Sequence, residues 1–531
     1  MTKNRVRKLG MLAHISSLPS DYGIGDVGLS ALRFASFLAE SGFGAWQILP
    51  FGPTSPATGH SPYSSPSVFA GNAAFISPDV LADWGLLDES YQFEVQKTAS
   101  SVDFDEALAL KWKIIREAYD NFRRDEAYKT RFKTLSDEFW EFCVKEAYWL
   151  EDYALFTVLK ETVGDVCWNE WPGPYRTRDW RVLDPFKADP DAARKLDLCR
   201  FGQFVFFKQL QGLKEACADL GIELIGDIPM YVGIDSADVW GHQEFFDLDG
   251  EGRPLCVTGV PPDYFSETGQ RWGNPVYRWD KMRDDGFYWW LGRLRHALLY
   301  LDMVRIDHFR ALVNYWEIPA EEETAVNGAW KSGPGWDFLS ALRYCFAENG
   351  GRLPFIAEDL GVMTDDVFTA MERFSLPGMK VLHFAFGPGM PSNPYIPHHH
   401  RRNCVVYAGT HDNNTTVGWW NDDATPSERD NFMKYLGVRE ISAEGARDAM
   451  IRMAAASTAD LAVITAQDAL GLGGEARMNT PSTPSGNWTW RLDSLLDLEA
   501  RSEELHELAV LFDRCDGPAP LDIDNNLKSK I

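Results

Sequence analysis

The feature that most constrains this chain is a recurring one. Short, apolar, β-branched runs stop at polar residues or at Gly and Pro, and helix-like stretches separate most of them. Eight are present: KLGMLAHISS from Lys8, AWQILPFGP from Ala45, IELIGDIPMYV from Ile222, LDMVRIDHF from Leu301, PFIAEDLGV from Pro354, MKVLHFAF from Met379, CVVYAGTHDN from Cys404 and ADLAVITAQDALG from Ala459. Strands buried on both faces read as apolar throughout, and a helix after each returns the chain for a parallel neighbour. Eight such units predict an α/β fold, the (β/α)8 TIM barrel. At 531 residues the chain is long enough for that barrel and for large insertions.

The spacing of the runs locates the insertions. About 170 residues separate the second run from the third, far more than a crossover helix uses. Part of this stretch is periodic: Leu108, Trp112, Ile115, Tyr119 and Phe122 recur at steps of four and three. A second amphipathic stretch follows Ser136, read as an N-cap, through FWEFCVKEAYWLEDYALF. The expected organisation is barrel strands one and two with the following loop over 1–80, and a mostly helical insertion over 81–200. Barrel strand three occupies 201–232, and an irregular, loop-rich insertion over 233–290 covers the active site. Barrel strands four to eight and the C-terminal part fill 291–531, with disorder confined to the polar end, DIDNNLKSKI.

Charge narrows the partners. Asp and Glu number 78 against 52 Lys and Arg, a formal charge of −26, which repels nucleic acid and anionic membranes. No window reaches the roughly 20 apolar residues of a membrane helix. The 8 cysteines stand singly, as at Cys143 and Cys404, with no C-x-x-C pair, and read as free thiols of a cytoplasmic protein. Aromatic residues are 13% of the chain, with 20 Trp. Large cores absorb many of them, but flat aromatic rings also suit the apolar C–H faces of sugars, so the composition fits a neutral polyol ligand.

In a barrel of this kind the active site lies at the C-terminal ends of the strands. Period-two alternation in the fourth run puts Val304 and Ile306 toward the helices and Arg305 and Asp307 in the lumen. An arginine two residues from an aspartate favours the charged carboxylate that a nucleophile needs, although a structural ion pair closing the barrel reads the same way. The fifth run ends in Glu358 and Asp359, one of which faces inward and the other flanks. An inward Glu in an apolar mouth has a raised pKa, which suits a proton donor. The seventh run places His411 and Asp412 at its tip, and the third supplies Asp227. Carboxylates at the tips of strands four, five and seven thus converge on one mouth, the set that glycoside chemistry requires.

Other chemistries fit less well. His398, His399 and His400 are adjacent, and neighbouring loop residues do not readily share one tetrahedral ion. No G-x-S-x-G motif supports a serine triad. The glycines of YGIGDVG (Tyr22 to Gly28) lack a phosphate-loop lysine and read as turn residues.

Taken together, the motifs resemble those of the amylomaltase or disproportionating-enzyme family, 4-α-glucanotransferases on an amylase-like barrel. The matching stretches are HISSLPSDYGIGDVG, WQILPFGPT, GHSPYSSPSVFAGN, GDIPMYVGIDSADVW, GVPPDYFSETGQRWGNPVY, MVRIDHFRAL, FIAEDLG, GTHDNNTTVGWW and RMNTPSTPSGNWTWR, spread from about residue 14 to 491. The resemblance implies Asp307 as nucleophile, Glu358 as general acid/base and Asp412 as transition-state stabiliser. It implies substrate contacts at Tyr63, Asp227, Gln270, Trp272, Arg305, His411 and Asn479, with Tyr63 stacking on the reacting sugar and Gln270 and Trp272 in a mobile covering loop. It also implies no cofactor and no metal. The implied partners are maltooligosaccharides and starch- or glycogen-derived glucans, with glucose as an acceptor, and neither nucleic acid nor membrane. The implied reaction is a retaining double displacement; the same carboxylates would equally serve a retaining α-glucan hydrolase of the amylase class. Two departures stand out. Ser482 follows Pro481 where the family usually has Gly, and the His398–His400 run is local to this chain. The first barrel strand is expected from about Lys8, without the long extra N-terminal domain of some members.

Overall fold

The computed structural model describes residues 7–88, 100–124, 130–262, 266–347, 351–483 and 485–515. The polar end read as disordered lies outside these residues. Among them are twelve strands. The first six are β1 (Lys8–Leu12), β2 (Ala45–Gln47), β3 (Glu223–Ile228), β4 (Cys256–Val260), β5 (Gln270–Pro275) and β6 (Met303–Ile306). The rest are β7 (Asn314–Pro319), β8 (Ala329–Ser332), β9 (Phe355–Ala357), β10 (Gly378–Val381), β11 (Cys404–Tyr407) and β12 (Leu461–Thr465).

Eight of these strands, one from each apolar run, form a single sheet in the order β10-β11-β12-β1-β2-β3-β6-β9, every pair parallel. The barrel is all but closed. β9 and β10 share no ladder; they meet through Ala357 N–H donating to Pro377 O at 2.9 Å and Met379 N–H donating to Asp359 Oδ1 at 2.6 Å. β9, β11 and β12 are buried along their whole length, as strands covered on both faces must be.

Between β2 and β3 the chain is helical, with long helices over Phe104–Arg123, Lys133–Lys145, Ala147–Val163 and Pro190–Asp219. Ile115, Tyr119 and Phe122 of the first are buried, as their spacing predicts. Ser136 is not an N-cap: it sits inside the second helix and donates its own N–H to Phe132 O at 2.8 Å. Buried Phe132, against Phe122, starts that helix earlier, so tertiary packing overrides the capping preference. The 30-residue helix Pro190–Asp219 is capped by the Asp189 carboxylate, which accepts from Asp191 and Ala192 N–H, and runs straight through residue 200 into the approach to β3.

The turn motif YGIGDVG does more than turn. Asp26 pairs with Lys111 of the helix Phe104–Arg123 at 2.8 Å, both buried, and Lys111 Nζ also donates to Ile76 O at 2.7 Å. Burial opposes both charges, raising the Asp26 carboxyl and lowering the Lys111 ammonium, while each partner restores the other. Lys111→Met leaves Asp26 buried and unpaired, so a loss of about 3–5 kcal/mol in urea unfolding is expected. The double variant Asp26→Asn, Lys111→Met is expected to recover most of it. A single-variant cost below about 1 kcal/mol would show that the pair does not pin the insertion to the barrel.

Residues 233–290, read as irregular, contain β4 and β5. With β7 and β8, from the segment after β6, these build a four-stranded antiparallel sheet in the order β5-β4-β7-β8. The strands are short, and β4 and β5 shift register between Val257 and Gly259, which erases the alternation that would reveal them.

Candidate active site

The strand tips place the polar groups. β3 and β6 pair Asp227 with Arg305, and β6 and β9 pair Ile306 with Ala357, so Asp307 and Glu358 are the first residues beyond the ladders. Asp307 N–H still donates to Ile228 O at 3.0 Å, and Glu358 N–H to Ile306 O at 3.1 Å, which fixes both side chains at the mouth.

Arg305 is the hub. Its guanidinium is buried and donates through Nη1 to Asp227 Oδ2 at 2.6 Å and through Nη2 to Asp307 Oδ1 at 2.8 Å. Asp227 also accepts from the Tyr63 hydroxyl at 2.9 Å. Its other oxygen, Oδ1, is buried without a protein partner, and Asp227 lines a chamber of about 40 Å³, volume enough for ordered water. Burial raises the Asp227 carboxyl, and Arg305 opposes that rise.

Two carboxyl groups are driven in opposite directions. Glu358 is pushed up to about 8, first by burial and then by the charge of Asp307. Its oxygens accept backbone N–H groups from His308 at 2.8 Å and Leu360 at 2.6 Å, which fix the plane of the carboxyl. Asp412 goes the other way. Partial burial pushes it up, but His411 (3.3 Å) and Asn479 Nδ2 (2.6 Å) outweigh that and hold it well below the ordinary range. Burial lowers His411, yet the Asp412 carboxylate raises it overall. A proton donor at neutral pH therefore stands in the same mouth as an Arg-paired carboxylate and a strongly acidic one. Such a set can protonate a leaving oxygen while stabilising positive charge at carbon.

Tyr63 caps the far side. Its ring stacks on His411 at 5.2 Å and 19°, and its hydroxyl meets His411 Nε2 at 2.9 Å. The cleft beside it, of about 490 Å³, is lined by Tyr63, Trp272, Asp307, His411, Asp412 and Asn479 among others. Gln270 does not line it: the side chain is exposed and accepts from Trp272 Nε1 at 3.1 Å. Asp359, the flanking carboxylate, bridges the β9–β10 seam instead of entering the mouth. The three histidines serve the fold: His398 meets the Tyr435 hydroxyl, His399 meets Pro391 O, and His400 meets Ser457 and Tyr395 O.

Three residues of the site escape sequence reasoning. His308, in the left-handed region at φ +48°, presents its N–H to Glu358 and its ring to Trp272, edge-on at 4.8 Å. Arg477 donates to Asp412 O and Asn479 O, at 2.8 and 2.6 Å. Trp488, at φ +66°, lies 5.8 Å from Tyr63 and 6.0 Å from His411. Only their closeness in sequence to Asp307, Asn479 and the NWTW motif could have pointed to them. Ser482, the departure from Pro-Gly, sits at φ +66° on the cleft rim, a conformation in which glycine carries no side-chain strain.

A family model described as 4-alpha-glucanotransferase matches residues 13–497. The chain is 46% identical to the 4-alpha-glucanotransferase of Thermus thermophilus over 494 residues, covering 92% of this chain and 95% of that one. It is 42% identical to the 4-alpha-glucanotransferase of Aquifex aeolicus, covering 96% and 100%. Among solved structures, the amylomaltase from Streptococcus agalactiae in complex with acarbose superposes with a TM-score of 0.88 at 34% identity, covering 96% of this chain and all of that one.

Proposed function

The chain belongs to the 4-alpha-glucanotransferase family, and we propose that Asp307, Glu358 and Asp412 carry its reaction on 1,4-α-glucans. Glu358 protonates the departing O4 while Asp307 attacks C1, giving a glycosyl ester. The deprotonated Glu358 then takes the proton of an acceptor 4-hydroxyl as that oxygen attacks C1 and releases Asp307. Two inversions retain the α configuration. Asp412, with Asn479 and His411, grips the ring hydroxyls of the reacting sugar and offsets its oxocarbenium charge. Arg305 and Asp227 hold Asp307 in place. Tyr63 stacks on that sugar, and Gln270 and Trp272 cover the bond being cut. No step requires a metal or a cofactor.

The observation that carries this reading is the pairing of a carboxyl raised to about 8 with an Arg305-held carboxylate on the next strand tip. Substrates are maltooligosaccharides and starch- or glycogen-derived segments, with glucose as an acceptor. A reducing, cytoplasmic setting is supported by the eight cysteines, all of which are free. No helix of the described residues is long and apolar enough to cross a membrane.

The rival is a retaining hydrolase of the amylase class, and maltotriose alone separates the two. Transfer yields glucose together with a ladder of longer maltodextrins, while total reducing ends stay nearly constant because each bond broken is matched by one made. A steady rise in reducing ends, with no product longer than the substrate, would assign water as the acceptor and remove the transferase reading.

A further inference from the structure

The two neighbouring strands of the barrel wall hold Glu358 in different ways. On the β6 side a parallel ladder runs up to Ile306 and Ala357, and Glu358 N–H extends it by donating to Ile306 O at 3.1 Å. On the β10 side no ladder forms among the described residues. Beyond Ala357 N–H to Pro377 O, the next bond across is made by a side chain: Asp359 Oδ1 accepts from Met379 N–H at 2.6 Å. Asp359 follows Glu358 directly, so this bond fixes the main chain at the point from which the Glu358 side chain departs.

The surroundings are fitted to that carboxylate. It is buried, and Lys380 Nζ of β10 stands 3.7 Å from its Oδ2. The same Nζ lies 5.4 Å from the centre of the Tyr395 ring, whose phenol reaches Gly361 N–H just past the tip of β9. Gly378 leaves the room: a Cβ there would stand 2.6 to 2.8 Å from the carboxyl atoms of Asp359, closer than packed atoms allow. Burying a charge is costly, and apolar residues can close a wall at least as well as an ion pair. A carboxylate at this point therefore needs a use beyond closure.

The charge of Asp359 also reaches the mouth, where it adds to burial and Asp307 in raising Glu358. The other groups that face the two carboxyls are Arg305 from β6, Arg310 just beyond it, Lys380 from β10, Tyr395 from the loop that follows and Cys404 from β11. We propose that Asp359 is a positioning residue for the reaction: it clasps the tip of β9 to β10 and so holds the Glu358 carboxyl where a departing O4 can take its proton. The inference rests on the reading of Glu358 as the acid and deepens it.

Two full-length variants separate place from charge. Gly378→Ala keeps every charge and displaces the Asp359 carboxylate from Met379 N–H. Asp359→Asn keeps an oxygen for Met379 N–H and removes the charge. Each is assayed beside its thermal melt on maltotriose and on α-glucosyl fluoride, whose leaving group needs no proton. Gly378→Ala is expected to lower kcat on maltotriose about a hundredfold with KM within about twofold, while kcat/KM for fluoride release falls less than about threefold. Equal losses on the two donors, or a parental kcat on maltotriose in the folded variant, would overturn the proposal. If Gly378→Ala melts below the assay temperature, Asp359→Asn decides. Its alkaline limb on maltotriose is expected to move to lower pH, because a negative charge that favours protonated Glu358 is gone. A limb that stays in place would then overturn the proposal. Failure of the underlying reading looks different: Glu358→Gln in the otherwise parental chain would itself stay active on maltotriose.

Discussion

Asp307→Asn is expected to fold and bind maltodextrin like the parent and to turn over at least about 10⁴-fold more slowly. The amide keeps an oxygen where Asp307 Oδ1 now accepts from Arg305 Nη2 at 2.8 Å, so the hub at Arg305 is preserved and the fold has little reason to change. What is lost is the chemistry: a neutral amide is a poor nucleophile at C1 and cannot form the glycosyl ester. Turnover should be measured beside circular dichroism and calorimetric binding of maltoheptaose, so that loss of folding is not mistaken for loss of chemistry. A second readout follows from the same substitution. The charge of Asp307 is, after burial, the largest influence that raises Glu358, so its removal should lower the pKa of Glu358 from its position near 8. Near-normal rates in a folded Asp307→Asn chain would move the nucleophile elsewhere.

Glu358→Gln is expected to lose about 10³–10⁴ in rate on maltodextrins, because the glutamine has no proton to give to the departing O4. One backbone donor, His308 or Leu360 N–H, would then face an NH₂ instead of an oxygen, a local cost that leaves the fold intact. The distinguishing experiment is a donor whose leaving group needs no proton. With α-glucosyl fluoride the ester-forming step should recover most of its rate, whereas a merely misfolded site would stay slow. The parent should also show its acid in the pH profile. Glu358 carries its proton below about 8 and loses it above, so kcat/KM should be level on the acidic side of that point and fall about tenfold per pH unit beyond it. A profile that stays level to pH 10, or a Glu358→Gln variant with full activity on maltodextrin, would remove Glu358 from the role.

Much of this was written in local patterns. Each barrel strand coincides with one of the eight apolar runs, because a strand buried on both faces leaves an unbroken apolar signature. The alternation in MVRIDHF was enough to aim Arg305 and Asp307 into the lumen, and the adjacent Glu358 and Asp359 divide as one inward and one flanking carboxyl. What stayed hidden depends on pieces distant in the chain. β7 and β8 complete a sheet begun by β4 and β5, and between the two halves lies barrel strand β6. Lys111 is simply one more lysine on a helix until Asp26 is brought beneath it. The edge-on contact of His308 with Trp272 joins β6 to β5, and a left-handed backbone at a non-glycine residue leaves no mark in composition. Gln270 is exposed and accepts from Trp272 Nε1, a pairing that the motif by itself does not reveal.

The seam between β9 and β10 gives the barrel an uneven stiffness. Elsewhere around the cylinder, neighbouring strands are laced by parallel ladders; here the wall is closed by one backbone hydrogen bond, from Ala357 N–H to Pro377 O, and by the Asp359 carboxylate accepting from Met379 N–H. Regions held by few backbone bonds open at lower free energy than fully laced ones. A slit tube yields along its slit, so strain from a bulky chain lodged in the mouth is relieved there first. Glu358 stands on the lip of that slit, while Asp307 follows a strand laced on both sides. On the roles proposed for them, the residue that exchanges protons with successive partners rides on the compliant edge, and the residue that must meet one carbon at one distance is anchored in the stiff wall.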